Sequence, residues 1–142
     1  MFSAKDSKDK SGNTHYDTLI SARTEIAGDV HFSGGLHVDG VIRGNLIAEP
    51  GSGAVVRVSD KGRIEGEIRS PNVIINGPVL GDVHAYEYIE LAKSAQVTGD
   101  VYYNLMEMVL GAAVNGQLHH QSKEAQAHAK PALEVVSDKV KS

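Results

Sequence analysis

Apolar residues recur at every second position in short runs from Thr24 to about His120, and glycines break the runs. Ile26, Val30 and Phe32 alternate with Asp29 and His31. Leu36, Val38, Ile42 and Leu46 alternate with His37, Asp39, Arg43 and Asn45. Period two marks strands with one buried face. A five-residue phrase (apolar, any, Gly, polar, apolar) punctuates the pattern. It appears as Ile26-Ala27-Gly28-Asp29-Val30, Ile42-Arg43-Gly44-Asn45-Leu46, Ile64-Glu65-Gly66-Glu67-Ile68, Val97-Thr98-Gly99-Asp100-Val101 and Val114-Asn115-Gly116-Gln117-Leu118, and as Leu80-Gly81-Asp82-Val83 with Val79 ahead of it. Its glycines, at 28, 44, 66, 81, 99 and 116, lie 16, 22, 15, 18 and 17 residues apart. Repeats this short bury nothing alone and must stack on their neighbours.

The pattern predicts coils of three short strands with glycine at the corners. The core from Thr24 to His120 then holds near six coils, about 4.8 Å apart, in a rod roughly 30 Å long. Pro50-Gly51-Ser52-Gly53 falls in the longest gap and reads as a corner insertion. After Ser70-Pro71-Asn72 the buried parity moves from even (Ile64, Ile68) to odd (Val73, Ile75, Val79, Val83), so a corner there absorbs one residue. Ile89, Leu91, Val97 and Val101 follow, and Leu105 to Leu110 is the most apolar stretch. The expected fold is all-β: a right-handed parallel β-helix (β-solenoid) over 23–120, flanked by disordered tails at 1–22 and 121–142. A short helix over Leu133 to Val140 competes with disorder in the second tail. A left-handed β-helix needs a six-residue step; Gly28, Gly34 and Gly40 keep it, and Gly44 and Pro50 break it. A β-sandwich ranks third, since hairpins do not require the repeated phrase.

Composition narrows the core. The chain of 142 residues has no Trp and only 2 Phe, which suits a thin aliphatic column within one domain. It has no Cys, which excludes a disulfide framework, a thiolate metal site and a cysteine nucleophile. No apolar run reaches the length of a spanning helix, about 18 residues, and the start MFSAKDSKDK lacks a secretory core. The expectation is a protein kept inside the cell. A net charge of −4 argues against a nucleic-acid partner. His31, His37 and His84 fall on outward parities and read as solvated surface; His119-His120 has no further ligands beside it. Arg63, Glu65, Glu67 and Arg69 read either as charge pairs between coils or as a lateral docking surface. No phosphate cradle or serine elbow is present, so no catalytic residue, metal or cofactor is assigned. Met1 and Phe2 ahead of Lys5 and Lys8 read either as an ordinary start or as a membrane tether, with the ring in the interface and the lysines on anionic lipid.

Two function classes follow. The first is a self-assembling scaffold. A solenoid has two open ends, each with unpaired backbone groups and a slice of apolar core. Ile26, Val30 and Phe32 are assigned to one end, and Met106, Met108, Leu110, Val114 and Leu118 to the other; the competing reading makes them ordinary core residues of the first and last coils. Like ends meeting in two isologous contacts give a filament without polarity, and no nucleotide is required. The second class is a trimeric left-handed β-helix acyltransferase or hydratase with a His base at a subunit groove.

The repeated phrase, together with the opening Gly35-Leu36-His37-Val38-Asp39-Gly40-Val41-Ile42-Arg43-Gly44, resembles the bactofilin family of bacterial cytoskeletal proteins. The start Met1-Phe2-Ser3 followed by lysines resembles the membrane-targeting peptide of many bactofilins. The resemblance implies a right-handed, three-faced β-helix and end-to-end, nucleotide-independent, non-polar filaments. It also implies a place on the inner face of the cytoplasmic membrane, where the filaments position cell-wall enzymes or morphogenesis proteins and affect cell shape.

Overall fold

The computed structural model describes residues 16–122. Strands of three or four residues cannot stand alone, and here every one pairs in parallel with the strand one coil along. The first coil is β1 (Thr18–Ile20), β2 (Glu25–Ala27) and β3 (Val30–Phe32). The second is β4 (Gly35–Val38), β5 (Val41–Arg43) and β6 (Leu46–Ala48). The third begins with β7 (Val55–Val58) and β8 (Arg63–Glu65). From there β9 (Ile68–Ile75), β10 (Pro78–Leu80), β11 (Val83–Leu91), β12 (Gln96–Thr98), β13 (Val101–Met108), β14 (Ala113–Asn115) and β15 (Leu118–His120) complete the rod. The long strands β9, β11 and β13 each end one coil and open the next. Six coils of three rungs result, with no helix among the described residues.

The rungs build three faces. Face 1 stacks β1, β4, β7 and the second halves of β9, β11 and β13. Face 2 stacks β2, β5, β8, β10, β12 and β14. Face 3 stacks β3, β6, the first halves of β9, β11 and β13, and β15. Like residues stand above one another: Ile26, Ile42, Ile64, Val79, Val97 and Val114 form the inward ladder of face 2. In the middle coils the column is sealed; Ile42, Leu46, Val56, Ile64, Ile68, Val73 and Val97 are all at 0% exposure.

The glycine of each phrase sits at the corner between faces 2 and 3, and from the second coil onward backbone crowding requires it. A Cβ on Gly44 would lie 2.1 Å from the carbonyl oxygen of Gly28, and on Gly66 2.1 Å from that of Gly44. The same approach recurs at Gly81, Gly99 and Gly116. The polar residue after each glycine forms a second column. Asp29 accepts the Asn45 backbone N–H at 2.9 Å, Asn45 that of Glu67 at 2.8 Å, and Asp82 that of Asp100 at 2.9 Å. Side chains thus complete the coil-to-coil ladder where the chain bends.

The insertion at Pro50 is a turn in which Gly51 and Gly53 take left-handed φ of 73° and 69°. The parity switch occurs where expected, as a register shift between Ser70 and Asn72. Ser70 is fully buried there and donates to the Asn72 carbonyl at 3.1 Å. Two expectations need correction. The solenoid starts at Thr18, not after residue 22: β1 pairs with β4 and buries Ile20. With one buried side chain and no glycine phrase, that strand leaves no period to detect. The charge pairs also differ. Arg63–Glu65 (2.8 Å) and Arg69–Glu67 (3.1 Å) lie within one rung, whereas Glu65 also pairs across coils as expected, with Arg43, which reaches Glu25 in the first coil too.

Candidate polymerisation interface at the two tips

A parallel coil pairs on both edges only when a coil lies on each side. Among the described residues, β1, β2 and β3 pair on one edge alone, as do β14, β15 and the Leu105–Met108 half of β13. Each tip therefore presents three short unpaired strand edges around a cross-section of the core.

Ile26, Val30 and Phe32 lie in the first coil, half-buried and packed on the column below them. Met106 and Val114 are half-buried in the last coil. Met108 and Leu118 end their ladders 45% and 46% exposed. Exposure thus rises from zero in the middle coils to nearly half at the last coil, along ladders whose chemistry does not change. Leu110 differs from the rest of its group. It stands on the outer corner of the last coil, one coil along from Lys93, and is 90% exposed rather than part of the column. Met1, Phe2, Lys5 and Lys8 lie outside the described residues.

Sequence reasoning missed three contributors. Ile20 and Leu19 belong to the first coil, the latter 62% exposed. Tyr103 packs against the column near the last coil. On the outside of face 3, His84, Tyr102 and His119 stack with ring centroids 4.5 Å apart at each step. His84 is therefore a half-buried member of an aromatic ladder, not a solvated side chain. Burial, and then the Arg69 charge, lower its pKa below the usual imidazole value. Asp100 ties the last coil to the fifth. It accepts the Gln117 backbone N–H at 3.0 Å and meets His119 at 3.3 Å, and these bonds hold its carboxyl below the usual range.

Comparison with known proteins gives the tips a context. A family model described as Bactofilin, polymer-forming cytoskeletal, matches residues 18–119. Bactofilin BacO of Myxococcus xanthus is 26% identical over 108 residues, covering 76% of this chain and 82% of BacO. Bactofilin BacP of the same organism is 25% identical over 112 residues, 78% of this chain but only 45% of BacP. A cryo-EM reconstruction of Thermus thermophilus bactofilin double helical filaments superposes with a TM-score of 0.60 at 30% identity, covering 73% of this chain and 99% of that one.

Proposed function

The chain belongs to the bactofilin family of polymer-forming cytoskeletal proteins, and from that premise we propose that it assembles end to end, tip on tip, into a scaffold filament that needs no nucleotide. The observation that carries the proposal is the opening of a sealed aliphatic column at its last coil, where Met108 and Leu118 stand nearly half exposed beside unpaired strand edges. Covering that surface removes apolar area from water, at about 25 cal/mol per Å². It also pairs backbone groups that the rod itself leaves open. The relative from Thermus thermophilus, solved as a filament, supports polymer formation by this fold.

Contacts between like tips, first coil on first coil and last on last, give a filament without polarity. Residues Met1, Phe2, Lys5 and Lys8 tether the filament to anionic lipid on the inner membrane face. Many weak tethers on one polymer act together. A filament held there positions envelope or morphogenesis proteins.

Single-tip variants separate the modes of growth. Val30→Arg blocks the first tip and Leu118→Arg the last. With like-tip contacts, each single variant stops at a dimer through its intact tip, and the double variant is a monomer, as read by analytical ultracentrifugation. Monomers from either single variant would mean head-to-tail growth. Long filaments from both single variants, with the β spectrum retained, would remove the tips from assembly.

A further inference from the structure

We propose that face 1 is a lateral docking surface for a second copy of this chain, lying antiparallel to the first with Ile74 on the two-fold axis. The argument starts from the outward ladder of that face. One outward position of the face holds, coil by coil, Leu19, His37, Arg57, Ile74, Glu90 and Glu107. The basic side chains stand toward the first coil and the acidic ones toward the last. Tyr16 lies on the basic half, its ring edge-on to His37 at 5.6 Å. Tyr88 lies on the acidic half, its hydroxyl bonded to Glu107 at 3.0 Å.

A rod with such a gradient fits its own reversed copy. For two sheets packed face to face with the axis along the strands, positions along each strand are kept and coil order is inverted. An axis at the fourth coil sets Ile74 against Ile74, Arg57 against Glu90 and His37 against Glu107. Half-buried Val55 then meets the Tyr88 ring, and Gly35, which has no side chain, meets Leu105, which is 61% exposed. Moving the axis by half a coil toward the first coil sets Arg57 against Ile74 and Leu19 against Glu107, so the opposition of Arg57 to Glu90 is lost.

The contact is small. Five rungs about 4.8 Å apart and some three residues wide give an area on the order of 250 Å² per subunit. A stable interface buries about 800 Å² per partner. Isolated subunits therefore do not pair, and rows of subunits do, because every later contact is intramolecular. The inference rests in this respect on the end-to-end reading.

The full chain tests it by electron microscopy at low salt, where exposed charges are least screened. The wild type gives paired protofilaments. Arg57→Glu alone and Glu90→Arg alone give single protofilaments. The double variant, and a mixture of the two single variants, pair again, since each opposes unlike charges. The chain has no Cys, so Ile74→Cys with a short bis-maleimide, which spans facing sheets about 10 Å apart, gives covalent dimers in filaments. Leu80→Cys, on face 2, does not. Paired filaments from both single charge variants, wild-type protofilaments that stay single, or equal cross-linking at Leu80 would overturn the proposal while leaving end-to-end growth intact. Absence of any wild-type filament would overturn both readings.

Discussion

The glycine column makes a sharp prediction at Gly66. Its φ is not in the left-handed region, so replacing it by Ala tests backbone crowding alone. The new Cβ would sit 2.1 Å from the Gly44 oxygen and 2.6 Å from its carbon. Ordinary contact begins near 3.4 Å, so the second and third coils must part locally by on the order of 1 Å. Three hydrogen bonds span that gap: Gly44 N–H to the Glu65 carbonyl at 3.1 Å, Leu46 N–H to the Glu67 carbonyl at 2.8 Å, and Glu67 N–H to the Asn45 side chain at 2.8 Å. At about 0.5–1.5 kcal/mol each, their weakening costs about 2–4 kcal/mol. With a denaturant slope of about 2 kcal/mol/M, the urea midpoint falls by about 1–2 M. The measurement is circular dichroism on the tip-blocked background, so that polymerisation does not contribute. Gly51→Asn is the control. Gly51 has nothing within 4 Å and a left-handed φ that Asn tolerates. A midpoint for Gly66→Ala no lower than for this control would refute the crowding argument.

The membrane tether predicts that liposomes with anionic lipid pellet wild-type filaments and release those of Phe2→Ala; equal pelleting rejects the tether. Acid sensitivity is expected from His84, whose pKa is lower folded than unfolded. The unfolded chain then binds the proton more readily, so stability is complete above about pH 6.5 and falls as pH drops through the folded value. His84→Phe keeps a ring against Tyr102 and flattens urea midpoints across that window, whereas an unchanged slope would assign the effect elsewhere. Asp100, with its pKa lowered, acts in a separate window: its contribution is complete above the usual carboxylate value of 3.8 and disappears only as pH falls through the lower folded one.

Periodicity revealed the middle of this fold because each middle coil repeats one demand. Ile64 and Ile68 face inward at 0% exposure for the reason that spacing suggested. The cause of the glycine was not legible, since the crowding carbonyl belongs to a residue 15 to 22 positions earlier. The aromatic ladder carried a usable signal. His84, Tyr102 and His119 are 18 and 17 residues apart, the steps that separate Gly81, Gly99 and Gly116. Reading outward positions with the glycine step aligns them. Leu110 misled because an apolar run looks like core, and only the turn at Gly111 shows that the chain rounds a corner there, with Gly111 at φ of 105°.

The columns also bear on how two rods meet. Both the glycine column and the side-chain ladder are built for parallel stacking. Head-to-tail growth would continue them, with Gly28 over Gly116 and the Asp29 N–H above Gln117. If that contact shaped the first coil, Gly28 would need to be glycine because of the subunit beneath it. Its φ of +128° already requires glycine, however, so the residue at this position does not separate the two modes of growth. The tips also differ in kind. Ile26, Val30 and Phe32 are β-branched or aromatic, with stiff side chains. The last tip carries Met106 and Met108 beside Leu118, and thioether chains repack against whatever faces them. If like tips meet as proposed, a surface that must fit its own rotated copy gains most from such adaptability, which the last tip carries.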